Sequence, residues 1–186
     1  MATDSSYSGI RTFLYVVLWV FSLVLVGLTA ARIHYTTHLK PWDPLHGGVN
    51  FYDPIVAELL VCGILTLIWA PIVMHMIHGR REFRILSRVW HELVGLFILW
   101  LMWLVGAAIS TKIWPNLPKI CSQYEACRIL TAMVAFAWIG WITLTVLMFT
   151  TMMYARANSS WAEPAHGNWA ASRGDPRMSE YSQYHV

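Results

Sequence analysis

Apolar residues fall along this chain in four long runs, each separated from the next by a shorter stretch of mixed or polar character. The first extends from Phe13 to Ala31, FLYVVLWVFSLVLVGLTAA, and the second from Ile55 to Ile77. The third covers about Leu93 to Ile113 and the fourth about Ile129 to Tyr154. A helix needs about 20 apolar residues to cross the hydrocarbon core of a bilayer, and each run is long enough. The pattern predicts an all-α integral membrane protein, a four-helix transmembrane bundle with both termini on one side. Residues 1–10 form a short polar lead and residues 11–154 the membrane domain. The tail, 155–186, is rich in Ser, Ala, Gly, Asn and Pro, cannot bury a core, and is expected to be disordered. The first run is also long for a signal-peptide core, typically about 7–15 residues. Three comparable runs follow it, which favours a retained helix.

The polar stretches orient the bundle. Arg32 to Asn50 contains two prolines and a Gly-Gly pair and reads as a loop. The linker His78 to Trp90 carries Arg80, Arg81, Arg84 and Arg88 against Glu82, so the positive-inside tendency makes it cytoplasmic. The termini then share that side with it. Arg11, Arg156, Arg173 and Arg177 join the linker there, while Arg32, Lys40, Lys112, Lys119 and Arg128 fall on the other side. The sequon Asn158-Ser159-Ser160 lies in the cytoplasmic tail on this topology, where no glycan is added; a glycan on it would overturn the orientation.

Composition agrees with a membrane setting. Only 12% of residues are charged, against about 25% in soluble domains. The eleven tryptophans and eight tyrosines suit membrane interfaces. The net charge of +3 does not indicate nucleic-acid binding, because the basic residues are scattered or sit at span ends. Cys62 lies inside the second run, where a small apolar role is the default. Cys121 and Cys127 share the loop between the third and fourth runs, on the oxidising side of the membrane. A disulfide between them, worth about 2 kcal/mol of loop entropy, is the expectation, against two free thiols.

Ionisable residues inside spans are costly and need partners. Arg32 closes the first span and Glu58 lies about one turn into the second, at similar depth. An Arg32–Glu58 pair is expected, as a structural clasp rather than a gating or proton-handling carboxylate. At the inner side, His75 near the end of the second span and Glu92 at the start of the third suggest an interfacial pair, with a proton relay as the sharper alternative. Glu92, Gly95, Leu99, Gly106 and Ser110 share one helical face. The small-residue pairs Gly27–Ala31 and Gly106–Ser110 are expected to point into the bundle or form a seam between copies. Pro71 should kink the second helix. His34 and His38 have helical i, i+4 spacing near Asp43 and His46, but with no fixed third ligand no metal is expected. The four linker arginines suit anionic lipid headgroups, at about 1 kcal/mol per charge, or serve only to orient the chain. No phosphate-binding Gly loop, HExxH or nucleophile elbow occurs, so no enzyme is expected.

AARIHYTTHL at the end of span one, FYDPIVAELLV opening span two, the arginine-rich inner linker, HELVGLFILWLMWLVGAA and ACRILTAMVAFAWIGW together resemble the MARVEL-like tetraspan family, especially its fungal members. The resemblance covers about Thr12 to Met153. It implies a non-enzymatic organiser of lipid microdomains, membrane apposition or vesicle traffic, in the plasma membrane or secretory-pathway vesicles. The implied partners are membrane lipids, further copies of the chain or other membrane proteins. The resemblance carries no catalytic residue, and the only cofactor it allows is a bound sterol, sphingolipid or phospholipid. Claudin-like proteins differ: the first outer loop here is short and lacks paired cysteines. Tetraspanins have a large second outer loop with a Cys-Cys-Gly motif, absent here. The rival functions are a small oligomeric channel or transporter using Arg32 and Glu58, and an accessory subunit of a membrane complex.

Overall fold

In a computed structural model the apolar runs become four helices. The structure describes residues 2–39, 41, 48–79, 89–115 and 125–157. Helix α1 is Ala2–Thr37, α2 is Pro54–Gly79, α3 is Val89–Ile113 and α4 is Glu125–Ala157. Their membrane-crossing segments are Ser8–Thr37, Pro54–Ile77, Trp90–Ile113 and Cys127–Met153. The chain is thus a multi-pass membrane protein, with four spans among the described residues. The polar lead is not separate from the first span, because α1 starts at Ala2. At 1.5 Å per residue α1 is about 54 Å long and overhangs a hydrocarbon core of about 30 Å. The end that carries the start of α1 and the end of α4 is called inner below, and the opposite end outer.

The helices close into a ring. α1 packs on α2 and α4, and α3 packs on the same two, with the α2–α3 interface the thinnest. Because both faces of each helix meet an apolar medium, hydrophobicity alone selects no inward face. Packing does. On α1 the buried positions are Arg11, Tyr15, Leu18, Ser22, Leu25, Thr29, Arg32 and Thr36, spaced alternately four and three. On α4 they include Leu130, Met133, Ala137, Leu144, Leu147 and Thr151 with similar spacing. This is the seam of a left-handed bundle.

Small residues set the approach of the helices. A Cβ on Gly140 of α4 would collide with the ring of Trp103 of α3, and one on Gly95 of α3 with Trp69 of α2. A Cβ on Gly63 would lie 2.7 Å from Val26 of α1. Gly106 and Ser110 are buried as expected, with Gly106 against Glu58 and Leu59. Gly27 and Ala31 are not: both are exposed, and Gly27 has open space around it. They sit opposite the Leu25–Thr29–Arg32 seam, whose polar members must face inward. Indole N–H groups tie the helices further. Trp103 donates to Thr66 at 3.0 Å, Trp100 to Thr145 at 2.8 Å and Trp138 to Thr111 at 3.0 Å. α2 runs on through Pro71, which faces outward, without a break.

Candidate functional site

The ionisable residues of the spans form three local arrangements at different depths. At the inner end, Arg11 and Tyr15 are one turn apart on α1 and therefore share a face. Both reach across the bundle to Glu92 in the first turn of α3. The Arg11 guanidinium bonds to Glu92 Oε2, and the Tyr15 hydroxyl donates to Oε1 at 2.7 Å. Arg11 is 3% exposed, and Glu92 and Tyr15 are fully buried. A buried carboxylate is tolerable only when opposite charge and hydrogen bonds replace its lost hydration, and both oxygens of Glu92 are so occupied. The expected His75–Glu92 pair is therefore corrected. His75 is exposed on α2, between the buried Val73 and the buried Met76 and Ile77. Similar depth did not give it the azimuth needed to reach α3.

At the outer end Arg32 pairs with Asp53, not with Glu58. Its Nη2 lies 3.4 Å from Asp53 Oδ2, and its guanidinium carbon is 5.9 Å from the centre of the Phe51 ring. Asp53 precedes α2, and its carbonyl accepts from the amides of Val56 and Ala57 at 3.1 and 3.4 Å. Asp followed by Pro54 is a favourable helix start, because proline at the first position has no N–H to leave unsatisfied. The Phe51 amide also donates to the Thr36 carbonyl at 3.1 Å, holding the returning chain against the end of α1. Arg32 therefore meets Asp53 on that return, before Glu58 comes into reach.

Glu58 lies deeper, at the thin α2–α3 interface. Its Oε1 accepts from the Cys62 thiol at 3.1 Å, while its buried Oε2 has no hydrogen-bond partner among the described residues. Gly106 of α3 makes room for it. One turn further, Thr66 donates to the Cys62 carbonyl at 2.8 Å and receives the Trp103 indole N–H. Ser110 Oγ on α3 is a second buried polar atom with no such partner among the described residues. Thr151 Oγ1 on α4 is another, whereas other buried hydroxyls turn back on their own helices. Ser22 donates to the Leu18 carbonyl, Thr29 to Leu25 and Thr143 to Ile139, each at 2.8 Å.

Several expected site residues lie outside the described residues: Arg80, Arg81, Arg84 and Arg88 of the linker, Cys121, and the tail from Asn158 onward. Cys127 is half-buried at the start of the α4 span and is not among the free cysteines; Cys62 is free and buried. The His34 and His38 rings stack 4.6 Å apart, and no group of three metal-type ligands occurs among the described residues. Sequence reasoning missed Arg11, Tyr15 and Asp53. The signal for Arg11 was available: Arg11 and Glu92 are ionisable residues at the same end, and both lie near a span boundary. Compared with known proteins, the chain matches no family model, no curated protein and no solved structure.

Proposed function

We propose that this chain is a non-enzymatic membrane organiser of MARVEL-like type, acting through lipid contacts and self-association in the plasma membrane or secretory-pathway vesicles. The carrying observation is that buried charges at the two ends of the bundle join helices: Arg11 with Glu92 and Tyr15, and Arg32 with Asp53. Between these arrangements the ring is filled by Leu18, Leu25, Trp103 and Leu144. Ion pairs confined to the two ends, with a mainly apolar filling between them in which the hydroxyls of Ser22, Thr29 and Thr143 turn back on their own helices, suit a scaffold better than a conduit. Cytoplasmic termini and a Cys121–Cys127 bridge on the opposite face belong to the same reading.

One observation favours the rival channel or proton-handling reading, namely the Glu58 oxygen beside the thin α2–α3 interface that has no partner among the described residues. The two readings separate in reconstituted vesicles. A scaffold gives proton and cation flux equal to that of empty vesicles, and energy transfer between two labelled copies at high lipid dilution. Protein-dependent flux that is lost in Glu58→Gln would establish the rival.

A further inference from the structure

A cavity of about 500 Å³ opens between α3 and α4 at the inner end. Val94 and Phe97 of α3 and Met148 and Met152 of α4 line it, with Trp90 and Arg156 completing the wall. The volume lies within the range of ligand sites, roughly 300–1,000 Å³. Phe97 and Met148 lie furthest into their spans. Trp90 begins the third span, and Arg156 lies beyond Met153, where the fourth span ends. The cavity therefore runs from an apolar interior to a rim holding an aromatic ring and a cation, both suited to headgroup depth. Val94, Phe97 and Arg156 are exposed, so the cavity opens on the surface that faces lipid.

We propose that this groove binds an anionic phospholipid, one acyl chain lying along Val94, Phe97 and Met148 and the headgroup phosphate resting on Arg156. The proposal deepens the organiser reading, whose lipid contacts it gives a place. Charge complementarity selects the occupant. Among the described residues Arg156 is the one charged side chain lining the groove, and its guanidinium matches a phosphate in two parallel hydrogen bonds. A sterol would offer it a hydroxyl only. An apolar helix from a second copy would cover it without a counter-charge. Met148 and Met152 are unbranched and adapt to a chain of varying conformation.

The test uses the full chain, delipidated in neutral detergent, and native mass measurement with phosphatidylserine or phosphatidylcholine carrying identical acyl chains. The wild type takes up the first phosphatidylserine about fivefold more tightly than phosphatidylcholine, the effect of one basic charge near the surface. Arg156→Gln brings that ratio toward one, because it weakens phosphatidylserine more than phosphatidylcholine, whose phosphate also meets Arg156 but carries a compensating choline charge. Val94→Trp, which fills the groove, weakens both lipids; Met148→Trp from the opposite wall does the same and reports if Val94→Trp unfolds. A ratio that survives Arg156→Gln, uptake that survives both groove-filling variants, or displacement of phosphatidylserine by cholesterol one for one each overturns the proposal. Flux and energy transfer do not depend on Arg156, so the organiser reading and this site fail separately.

Discussion

The two ends of the bundle solve the same problem in different ways. At the inner end Arg11, Tyr15 and Glu92 link α1 to α3, helices that lie across the ring from each other, and all three are removed from solvent. At the outer end Arg32 and Asp53 link neighbours through a longer contact of 3.4 Å, and the Asp53 side chain is still 23% exposed. The difference lies in what replaces water. Glu92 has an opposite charge on one oxygen and a phenol on the other. Asp53 keeps part of its hydration and needs less from Arg32. A buried pair of the first kind is weak grounds for net stability, yet removing one partner strands a charge. The inner arrangement should therefore be the more sensitive to mutation, whatever its net contribution.

That ordering can be broken by measurement. The largest effect is expected for Glu92→Ala, which removes the buried carboxylate that Arg11 and Tyr15 both bond and costs about 3–5 kcal/mol of unfolding free energy in mixed micelles. Asp53→Asn should cost about 1 kcal/mol or less, since the outer pair is partly solvated and Asn starts a helix as well as Asp. If the outer change proved the more damaging, the contrast between the ends would be reversed. The smallest effect is expected at Glu58. As one half of an ion pair, Glu58→Gln should have weakened assembly markedly. With Arg32 on Asp53 and one Glu58 oxygen unpartnered among the described residues, the change should shift stability by about 1 kcal/mol or less in either direction. A loss of several kcal/mol in the same unfolding measurement would point to a partner for Glu58 beyond the described residues.

The four spans were legible because length and apolarity alone decide them. The sharing of a face by Glu92, Gly95, Leu99, Gly106 and Ser110 was legible too, because polar and small residues stand out in an apolar helix. Partners were not. Depth along the membrane normal can be read from position in a span, but rotation about each helix axis cannot, and ion pairs need both. Glu92 was placed at the correct end and given the wrong partner for that reason. On α1 the rotation was in fact encoded: Arg11, Ser22, Thr29, Arg32 and Thr36 fall on one seam, and that seam puts Gly27 and Ala31 outside. The small-residue pattern alone pointed the other way. Asp53 was hidden because it lies before the apolar run, where Asp-Pro reads as loop punctuation as readily as a helix start.

The central claim is that the buried charges at the two ends of the bundle fasten helices to one another. A double-mutant cycle with Arg11→Gln and Glu92→Gln, read as unfolding free energy in mixed micelles, tests it most directly. The account predicts a coupling of about 2–3 kcal/mol, with the double variant no less stable than the worse single one. Additivity of the two changes to within about 0.5 kcal/mol would contradict it.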